Sequence, residues 1–116
     1  MNFLIAEDST PVRRMIRRMV TNTGDTVFEC ADGAEALDTY LKHDFDWVLI
    51  DIKMPVMDGI AATRKIIAAD PQAKVIVVTT YDDPVLRLEA EEAGASAFVV
   101  KDDLSRICTV INEQRH

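Results

Sequence analysis

Four short apolar runs, each ending abruptly at a polar residue, constrain the fold of this chain more than any other feature. The runs are residues 3–6, 47–50, 75–78 and 97–100. Uninterrupted apolar runs of this length are typical of strands that are buried on both faces of a parallel sheet. The carboxyl ends of such strands lie at one edge of the sheet, where open α/β folds bind their ligands. The polar residues that follow the runs should therefore share one site: Glu7, Asp8, Asp51, Thr79 and Lys101.

Segments with helical periodicity separate the runs and predict the architecture. A mixed segment at residues 26–30 is typical of an edge strand, and it completes a count of five strands. Strands that alternate with helices through right-handed crossovers predict a doubly wound three-layer sandwich. The expected fold is flavodoxin-like, with a five-stranded parallel sheet of order 2-1-3-4-5. The helices are predicted from Ser9 or Thr10, from Ala34 to Lys42, from Asp58-Gly59 to Asp70, from Pro84 to Gly94, and from Asp102 or Asp103 onward.

Composition limits the classes of function. The length of 116 residues predicts one domain, 1–116, and the net charge of −7 argues against direct binding to nucleic acid or to anionic membranes. No apolar segment is long enough to span a bilayer and no signal-peptide pattern is present, so we expect a cytoplasmic protein. Cys30 and Cys108 should be a reduced pair, and the methionines should lie in the core. Four arginines on the first helix are expected on a solvated face: Arg13, Arg14, Arg17 and Arg18.

The clustered carboxylates predict a metal site. Asp8 and Asp51 at neighbouring strand ends would lie about 5 Å apart and repel by about 3 kcal/mol at an effective dielectric near 20. Lys101 supplies one positive charge, and a divalent cation would supply the rest. Sites built only from oxygen ligands select hard ions, and Mg²⁺ is the expected one. Its protein ligands would come from Glu7, Asp8 and Asp51, with the backbone carbonyl of Lys53 as a further candidate.

A carboxylate in such a site can attack a phosphoryl group and form an acyl phosphate. Transfer requires that the charge on the phosphoryl oxygens is neutralised. The metal ion can hold one oxygen, Lys101 a second, and the hydroxyl of Thr79 with a nearby backbone N–H a third. The predicted chemistry is therefore phosphoryl transfer to a carboxylate.

The residues from Asp51 to Gly59 read DIKMPVMDG, and this stretch resembles the phosphoacceptor signature of the receiver domain of two-component response regulators. The family's other elements are also present in its order and spacing: the acidic pair Glu7-Asp8, Thr79 after the fourth strand and Lys101 after the fifth. The resemblance therefore covers essentially the whole chain. It implies that Asp51 accepts a phosphoryl group from a sensor histidine kinase or a phosphotransfer protein. Such a domain is a phosphoacceptor with self-catalysed transfer and autodephosphorylation, and not a conventional enzyme.

The resemblance also implies how the site is used. Asp8, Asp51 and the Lys53 carbonyl would bind Mg²⁺, with Glu7 acting mostly through water. Thr79 and the aromatic Phe98 would form the switch. The rearranged face would comprise the fourth helix, fifth strand and fifth helix (about 84–114), where a partner or a second copy of the chain docks.

Three details of the sequence refine this picture. Many members of the family carry a cis proline after the lysine, whereas Asp102 stands here and predicts a trans bond. Phe98 has no hydroxyl, so any switching would depend on packing. Lys53 and Tyr81 should flank the path of the water that hydrolyses the acyl phosphate, and Tyr81 should shield it.

Alternatives remain open at this point. A Mg²⁺-dependent phosphohydrolase with an aspartyl nucleophile needs a second carboxylate two residues after the first, where Lys53 stands. A receiver-like binding module would not accept phosphate at all. Thr80 could replace Thr79 as the functional hydroxyl, and Phe98 could be inert core.

The output of the domain is a separate question. The loop of residues 101–104 looks like that of regulators with a C-terminal helix-turn-helix domain. We therefore expect a role in transcriptional regulation in which DNA is contacted only through an effector domain. A free-standing receiver that acts through protein contacts is the alternative.

Overall fold

The computed structural model describes residues 1–113 and confirms the predicted α/β architecture. Its five strands form one parallel sheet of order β2-β1-β3-β4-β5, as expected. The last three residues of the predicted domain, 114–116, lie outside the described residues. The strands are β1 (Asn2–Ala6), β2 (Thr26–Cys30), β3 (Trp47–Ile50), β4 (Val75–Thr79) and β5 (Ala97–Val100). The helices are α1 (Thr10–Val20), α2 (Gly33–Lys42), α3 (Gly59–Ala69), α4 (Pro84–Glu92) and α5 (Ser105–Glu113).

Short polar side chains set the first residue of four helices. The side chain of Ser9 accepts a hydrogen bond from the backbone N–H of Val12, and aspartates at 32, 58 and 83 cap α2, α3 and α4 in the same way. Such caps satisfy backbone donors that the first helical turn leaves unpaired. Because each helix follows a strand, these caps all lie at the carboxyl edge of the sheet.

The predicted start of α5 at Asp102 or Asp103 was wrong. Residues Lys101–Asp103 form a 3₁₀ turn, and the α-helix begins only at Ser105. A 3₁₀ turn is a common, tighter lead-in to an α-helix, and apolar periodicity does not distinguish the two. Residues 1–113 contain no cis peptide bond, in agreement with the trans bond expected before Asp102.

The core consists of two apolar layers, one on each face of the sheet. Helices α1 and α5 cover one face, and α2, α3 and α4 cover the other. The side chains of β1, β3 and β4 are almost wholly buried, whereas β2 is only partly buried at the sheet edge, as its mixed sequence predicts. Cys30 and Cys108 are free thiols. Met1 is 37% exposed and Met15 is 51% exposed, so the expectation that the methionines lie in the core was wrong for these two residues.

No helix within residues 1–113 combines the length and the apolar composition that crossing a bilayer requires.

Candidate functional site

The register of the sheet brings the polar residues together at its carboxyl edge. Ala6 pairs with Ile50, and Ile50 pairs with Val77, so the ends of β1, β3 and β4 lie side by side. The backbone N–H of Asp51 donates to the carbonyl of Ala6 at 2.9 Å, which extends this alignment one residue past β3. The order of the strands thus places the end of β1 directly against the end of β3.

Three carboxylates form a compact cluster at this point. One oxygen from each of Glu7, Asp8 and Asp51 lies within 4.8 Å of the other two. Glu7 is 1% exposed and Asp51 is 7% exposed, whereas Asp8 faces solvent. The site is therefore half buried and strongly acidic.

Lys101 bridges two of the carboxylates from the end of β5. Its Nζ lies 2.5 Å from Oε1 of Glu7 and 3.2 Å from Oδ2 of Asp51. Burial acts to lower the pKa of Lys101, but the Glu7 and Asp51 carboxylates outweigh it and raise the pKa above its usual value. Lys101 is therefore held as a cation.

The cluster fits a hard divalent cation. Three carboxylates against one ammonium leave excess negative charge, and all the side-chain donors are oxygens, which Mg²⁺ prefers. Within residues 1–113, no hydrogen bond or ion pair engages the carboxylate of Asp8. Oε1 of Glu7 is buried, and among the same residues it has no hydrogen-bond partner beyond its ion pair with Lys101. These oxygens are available to a cation, and Lys53 lies two residues after Asp51 in the same loop.

Two glycines hold the loop of residues 51–58 against the rest of the domain. The N–H of Gly59 donates to the carbonyl of Ile52 at 2.8 Å, and a Cβ at Gly59 would lie 1.8 Å from the carbonyl oxygen of Asp51. The N–H of Gly33 donates to the carbonyl of Met57 at 3.0 Å, where a Cβ would also clash. The loop also contains Val56 with a φ of 69°, which is rare for a β-branched residue. Close backbone contacts therefore fix the position of Asp51.

Thr79 and Thr80 differ sharply in their surroundings. Thr79 ends β4 and is fully buried, and its hydroxyl oxygen accepts a hydrogen bond from the N–H of Tyr81 at 3.2 Å. Thr80 is exposed. The ammonium of Lys53 lies 4.7 Å from the centre of the Tyr81 ring, so the two residues expected to flank the site touch each other.

Phe98 is 8% exposed and packs under a charged side chain. The guanidinium carbon of Arg87 lies 4.6 Å from the centre of the Phe98 ring, and Arg87 also forms an ion pair with Asp82 at 3.1 Å. A cavity of about 390 Å³ between α4 and β5 is lined by Arg87, Phe98 and their neighbours. Sequence reasoning did not anticipate this stack, because nothing in the sequence pairs residue 87 with residue 98.

The expectation of a solvated face for all four arginines of α1 was wrong for Arg13. This residue is partly buried, and its guanidinium donates to the carbonyl oxygen of Glu7 at 2.7 Å and to Glu29 at 3.1 Å. Arg17 also pairs with Glu29. Arg13 therefore supports the backbone of the acidic cluster. Its position one helical turn after Ser9 was the only sequence feature that could have indicated this.

Comparison with known proteins agrees with this arrangement. The family model of the response regulator receiver domain matches residues 3–112. The chemotaxis protein CheY of Bacillus subtilis is 36% identical over 112 residues, which cover 95% of this chain and 93% of that protein. The transcriptional regulatory protein YhcZ of the same organism, which is uncharacterised, is 39% identical over 104 residues, covering 88% of this chain and 49% of that protein.

A solved structure is also similar, that of the CheX-CheY-BeF₃-Mg²⁺ complex from Borrelia burgdorferi. It aligns with a TM-score of 0.86 and 30% sequence identity, and the match covers 100% of this chain and 90% of that one.

Proposed function

The chain belongs to the family of response regulator receiver domains of two-component systems, and from this premise we propose that it is a switch operated by phosphorylation of Asp51. Receiver domains of this family accept phosphoryl groups and are not conventional enzymes. The observation that carries the proposal is the position of Asp51, which lies in a cluster of three carboxylates with the ammonium of Lys101 3.2 Å from its Oδ2.

The contacts of Asp51 support its role as the acceptor. Its Oδ1 accepts a hydrogen bond from the N–H of Ile52 at 2.8 Å, which fixes the orientation of the carboxylate. One carboxylate oxygen would attack the phosphorus of a phosphohistidine as the bond between phosphorus and the imidazole nitrogen breaks, and the imidazole would leave. Lys101 would neutralise one phosphoryl oxygen, and the hydroxyl of Thr79 would bind another.

The acidic cluster supports a Mg²⁺ site formed by Glu7, Asp8, Asp51 and the backbone carbonyl of Lys53. When bound, Mg²⁺ would offset the repulsion among the carboxylates and stabilise the charge that develops on the phosphoryl oxygens. Glu7 would contribute mainly through water, because its carboxylate already contacts Lys101.

The switch itself would consist of Thr79 and Phe98. A phosphoryl group at Asp51 would draw the hydroxyl of Thr79 toward it, and Phe98 would turn inward, away from its present contact with Arg87. The face formed by α4, β5 and α5 would carry the change to a partner or to a second copy of the chain.

Receiver domains receive their phosphoryl groups from histidine kinases, and we propose such a kinase or a phosphotransfer protein as the partner here.

For the output we propose transcriptional regulation in the cytoplasm, through an effector domain that would contact DNA. The similarity to YhcZ, which is named as a transcriptional regulatory protein, supports this output. The similarity to CheY over most of its length supports a free-standing receiver as the second candidate. In either case residues 1–116 would act as one receiver domain.

The proposal predicts that acetyl phosphate and Mg²⁺ add one phosphoryl group to the protein, measured by intact mass. Asp51→Asn should abolish the gain, because an amide is a poor nucleophile. Asp38→Asn is the matched control, since Asp38 is an exposed carboxylate that pairs with Lys42 on α2, and it should leave the gain intact.

The same measurement separates the alternatives. An equal mass gain in Asp51→Asn, or no gain in the unsubstituted protein, would contradict the proposal. Rapid multiple turnover of small phosphate esters would instead favour a phosphohydrolase, although Lys53 occupies the position where such an enzyme needs its second carboxylate.

A further inference from the structure

Arg13 contacts both of the residues that flank Asp8. Its guanidinium donates to the carbonyl oxygen of Glu7 at 2.7 Å, and its backbone N–H donates to the carbonyl oxygen of Ser9 at 2.9 Å. Within residues 1–113, no hydrogen bond or ion pair engages the carboxylate of Asp8 itself. The direction of this carboxylate is therefore determined by the backbone on either side of it, and Arg13 holds that backbone at both ends.

The edge strand β2 holds the side chain of Arg13 in turn. Nε of Arg13 donates to Oε1 of Glu29 at 3.1 Å, and Arg17 pairs with the other carboxylate oxygen of Glu29. Because Arg17 already supplies a counterion, Glu29 does not need Arg13 for its neutralisation. The shortest hydrogen bond of the Arg13 side chain is the one to the Glu7 carbonyl. Holding this carbonyl is therefore the main contact of the guanidinium, and Glu29 fixes its orientation.

The charge of Arg13 acts against a cation in the acidic cluster. The guanidinium touches the backbone of Glu7, which is one of the three clustered residues, so it would repel a divalent cation bound there. If Arg13 acted only through its charge, its removal would strengthen cation binding. If Arg13 acts by holding the backbone, its removal would weaken binding, because a ligand that must be ordered on binding costs conformational entropy. The two effects have opposite signs and can be told apart.

We propose that Arg13 is a positioning residue for the Mg²⁺ site: it holds the Glu7 backbone so that the Asp8 carboxylate is directed into the acidic cluster. Glu29 keeps Arg13 in place for this role. The inference rests on the proposed function and deepens it. Removal of a group that orients a metal ligand commonly lowers metal affinity by about 10- to 100-fold. The edge strand β2, which supplies none of the proposed ligands, thereby takes part in setting the affinity for the cation.

Urea unfolding of the full chain over a series of MgCl₂ concentrations, at constant ionic strength, measures the Kd for Mg²⁺. A cation that binds only the folded state raises the free energy of unfolding by an amount that its concentration and Kd determine. We expect Arg13→Met to raise Kd by about tenfold. A merely structural role would lower the stability of Arg13→Met equally at every MgCl₂ concentration and would leave Kd unchanged.

Arg14→Met is the matched control for the loss of one positive charge. Arg14 neighbours Arg13 on α1 but is exposed, so this variant should leave Kd unchanged or lower it. Arg13→Lys keeps the charge but lacks the planar fork that reaches the Glu7 carbonyl and Glu29 together. Its Kd should therefore rise by at least about threefold.

A double-mutant cycle tests the part assigned to Glu29. Glu29→Gln should raise Kd in the unsubstituted protein more than it does in Arg13→Met, because its effect is exerted through Arg13. The charge of Glu29 acting directly on the cation would give the same change in both backgrounds and would contradict this part. Arg13→Lys replaces Arg13→Met in the cycle if the latter does not fold.

A Kd in Arg13→Met that equals or falls below that of the unsubstituted protein would overturn the inference. Unfolding needs no phosphoryl donor, so a raised Kd supports the inference whether or not acetyl phosphate labels Asp51. Labelling of Asp51 together with an unchanged Kd in Arg13→Met would sink the inference and leave the proposed function intact. MgCl₂ that failed to stabilise the unsubstituted protein would contradict the metal site and the inference together.

Discussion

At the scale of single residues, the contact between Lys53 and Tyr81 is the feature most relevant to the lifetime of a phosphoryl group. Lys53 lies two residues after Asp51, and Tyr81 lies two residues after Thr79, so two different loops bring them together. The ammonium is 4.7 Å from the ring centre, and Tyr81 is 47% exposed. We propose that a ring held in this way obstructs the water molecule that would attack the phosphoryl group.

We predict that Tyr81→Ala accelerates hydrolysis of the acyl phosphate on Asp51 by about threefold to tenfold, which corresponds to about 0.7–1.4 kcal/mol in the activation barrier. The reason is the loss of the ring that we propose obstructs the attacking water. The measurement is the decay of phosphorylated protein after the donor is removed, followed by intact mass. Tyr81→Phe keeps the ring and should decay at the original rate. An unchanged rate in Tyr81→Ala would show that the ring does not shield the site.

At the scale of structural elements, the connection from β3 to α3 determines where Asp51 lies. Gly59 is the first residue of α3, and its missing Cβ lets the helix begin directly against the Asp51 carbonyl. The side chain of Asp58 caps the same helix by accepting from the N–H of Ala61 at 2.9 Å. The helix and the acceptor loop are thus positioned by one short segment.

We predict that Gly59→Ala destabilises the domain by about 1–3 kcal/mol, as expected for overpacking against rigid backbone. It should also slow labelling of Asp51 by acetyl phosphate, because the carbonyl that must move belongs to Asp51 itself. Gly24→Ala is the control. A methyl group added at Gly24 would meet no atom within 4 Å, but the φ of 92° is unfavourable for alanine. This variant should therefore lose about 1 kcal/mol of stability and should be labelled at Asp51 at the normal rate. Normal labelling in Gly59→Ala would contradict the role given to this contact.

Sequence reasoning located these elements but not all their contacts. The stretch from Asp51 to Gly59 and the cap at Asp58 are local features, so the start of α3 was predictable. The stack of Arg87 on Phe98 and the bond from Arg13 to the Glu7 carbonyl join residues whose contact depends on how helices pack on the sheet. Helical periodicity predicts which side of a helix is polar. It does not predict which polar side chain on that side contacts the residues at the edge of the sheet.

At the scale of the whole molecule, one hydrogen bond joins the ends of two helices far from the acidic cluster. The hydroxyl of Tyr40, near the end of α2, donates to Oδ2 of Asp70 after α3 at 2.6 Å. Burial, followed by the hydrogen bond and charge of Asp70, raises the pKa of Tyr40 well above its usual range. The neutral form of the hydroxyl is therefore favoured in the folded domain.

We predict that this pair makes the stability of the domain depend on pH under alkaline conditions. The pKa of the Tyr40 hydroxyl is higher in the folded state than in the unfolded state. The contribution of the pair to the free energy of unfolding is therefore fully present below the unfolded pKa of about 10, and it is lost as the pH rises above that value. Tyr40→Phe should lower the unfolding free energy by about 1.5–3 kcal/mol at neutral pH, as for a hydrogen bond to a charged group, and should reduce the loss of stability above pH about 10.

The measurement for this prediction is urea unfolding between neutral pH and pH about 11. Tyr81→Phe is the matched control, because it removes the hydroxyl of the other tyrosine, which is exposed. In this variant the unfolding free energy should depend on pH as it does in the unsubstituted protein. Equal slopes in Tyr40→Phe and Tyr81→Phe would contradict the assignment.

The fold class, the order of the strands and the set of residues at one edge of the sheet all follow from the amino-acid sequence alone. They do so because burial on both faces demands uninterrupted apolar runs, and because parallel strands place all their carboxyl ends together. The partners of those residues became known only from the folded chain: Lys101 lies closer to Glu7 than to Asp51, Arg13 supports the Glu7 backbone, and Phe98 packs under Arg87. Such partnerships depend on distances of a few ångströms between side chains remote in sequence, and these distances are set by packing and not by local pattern.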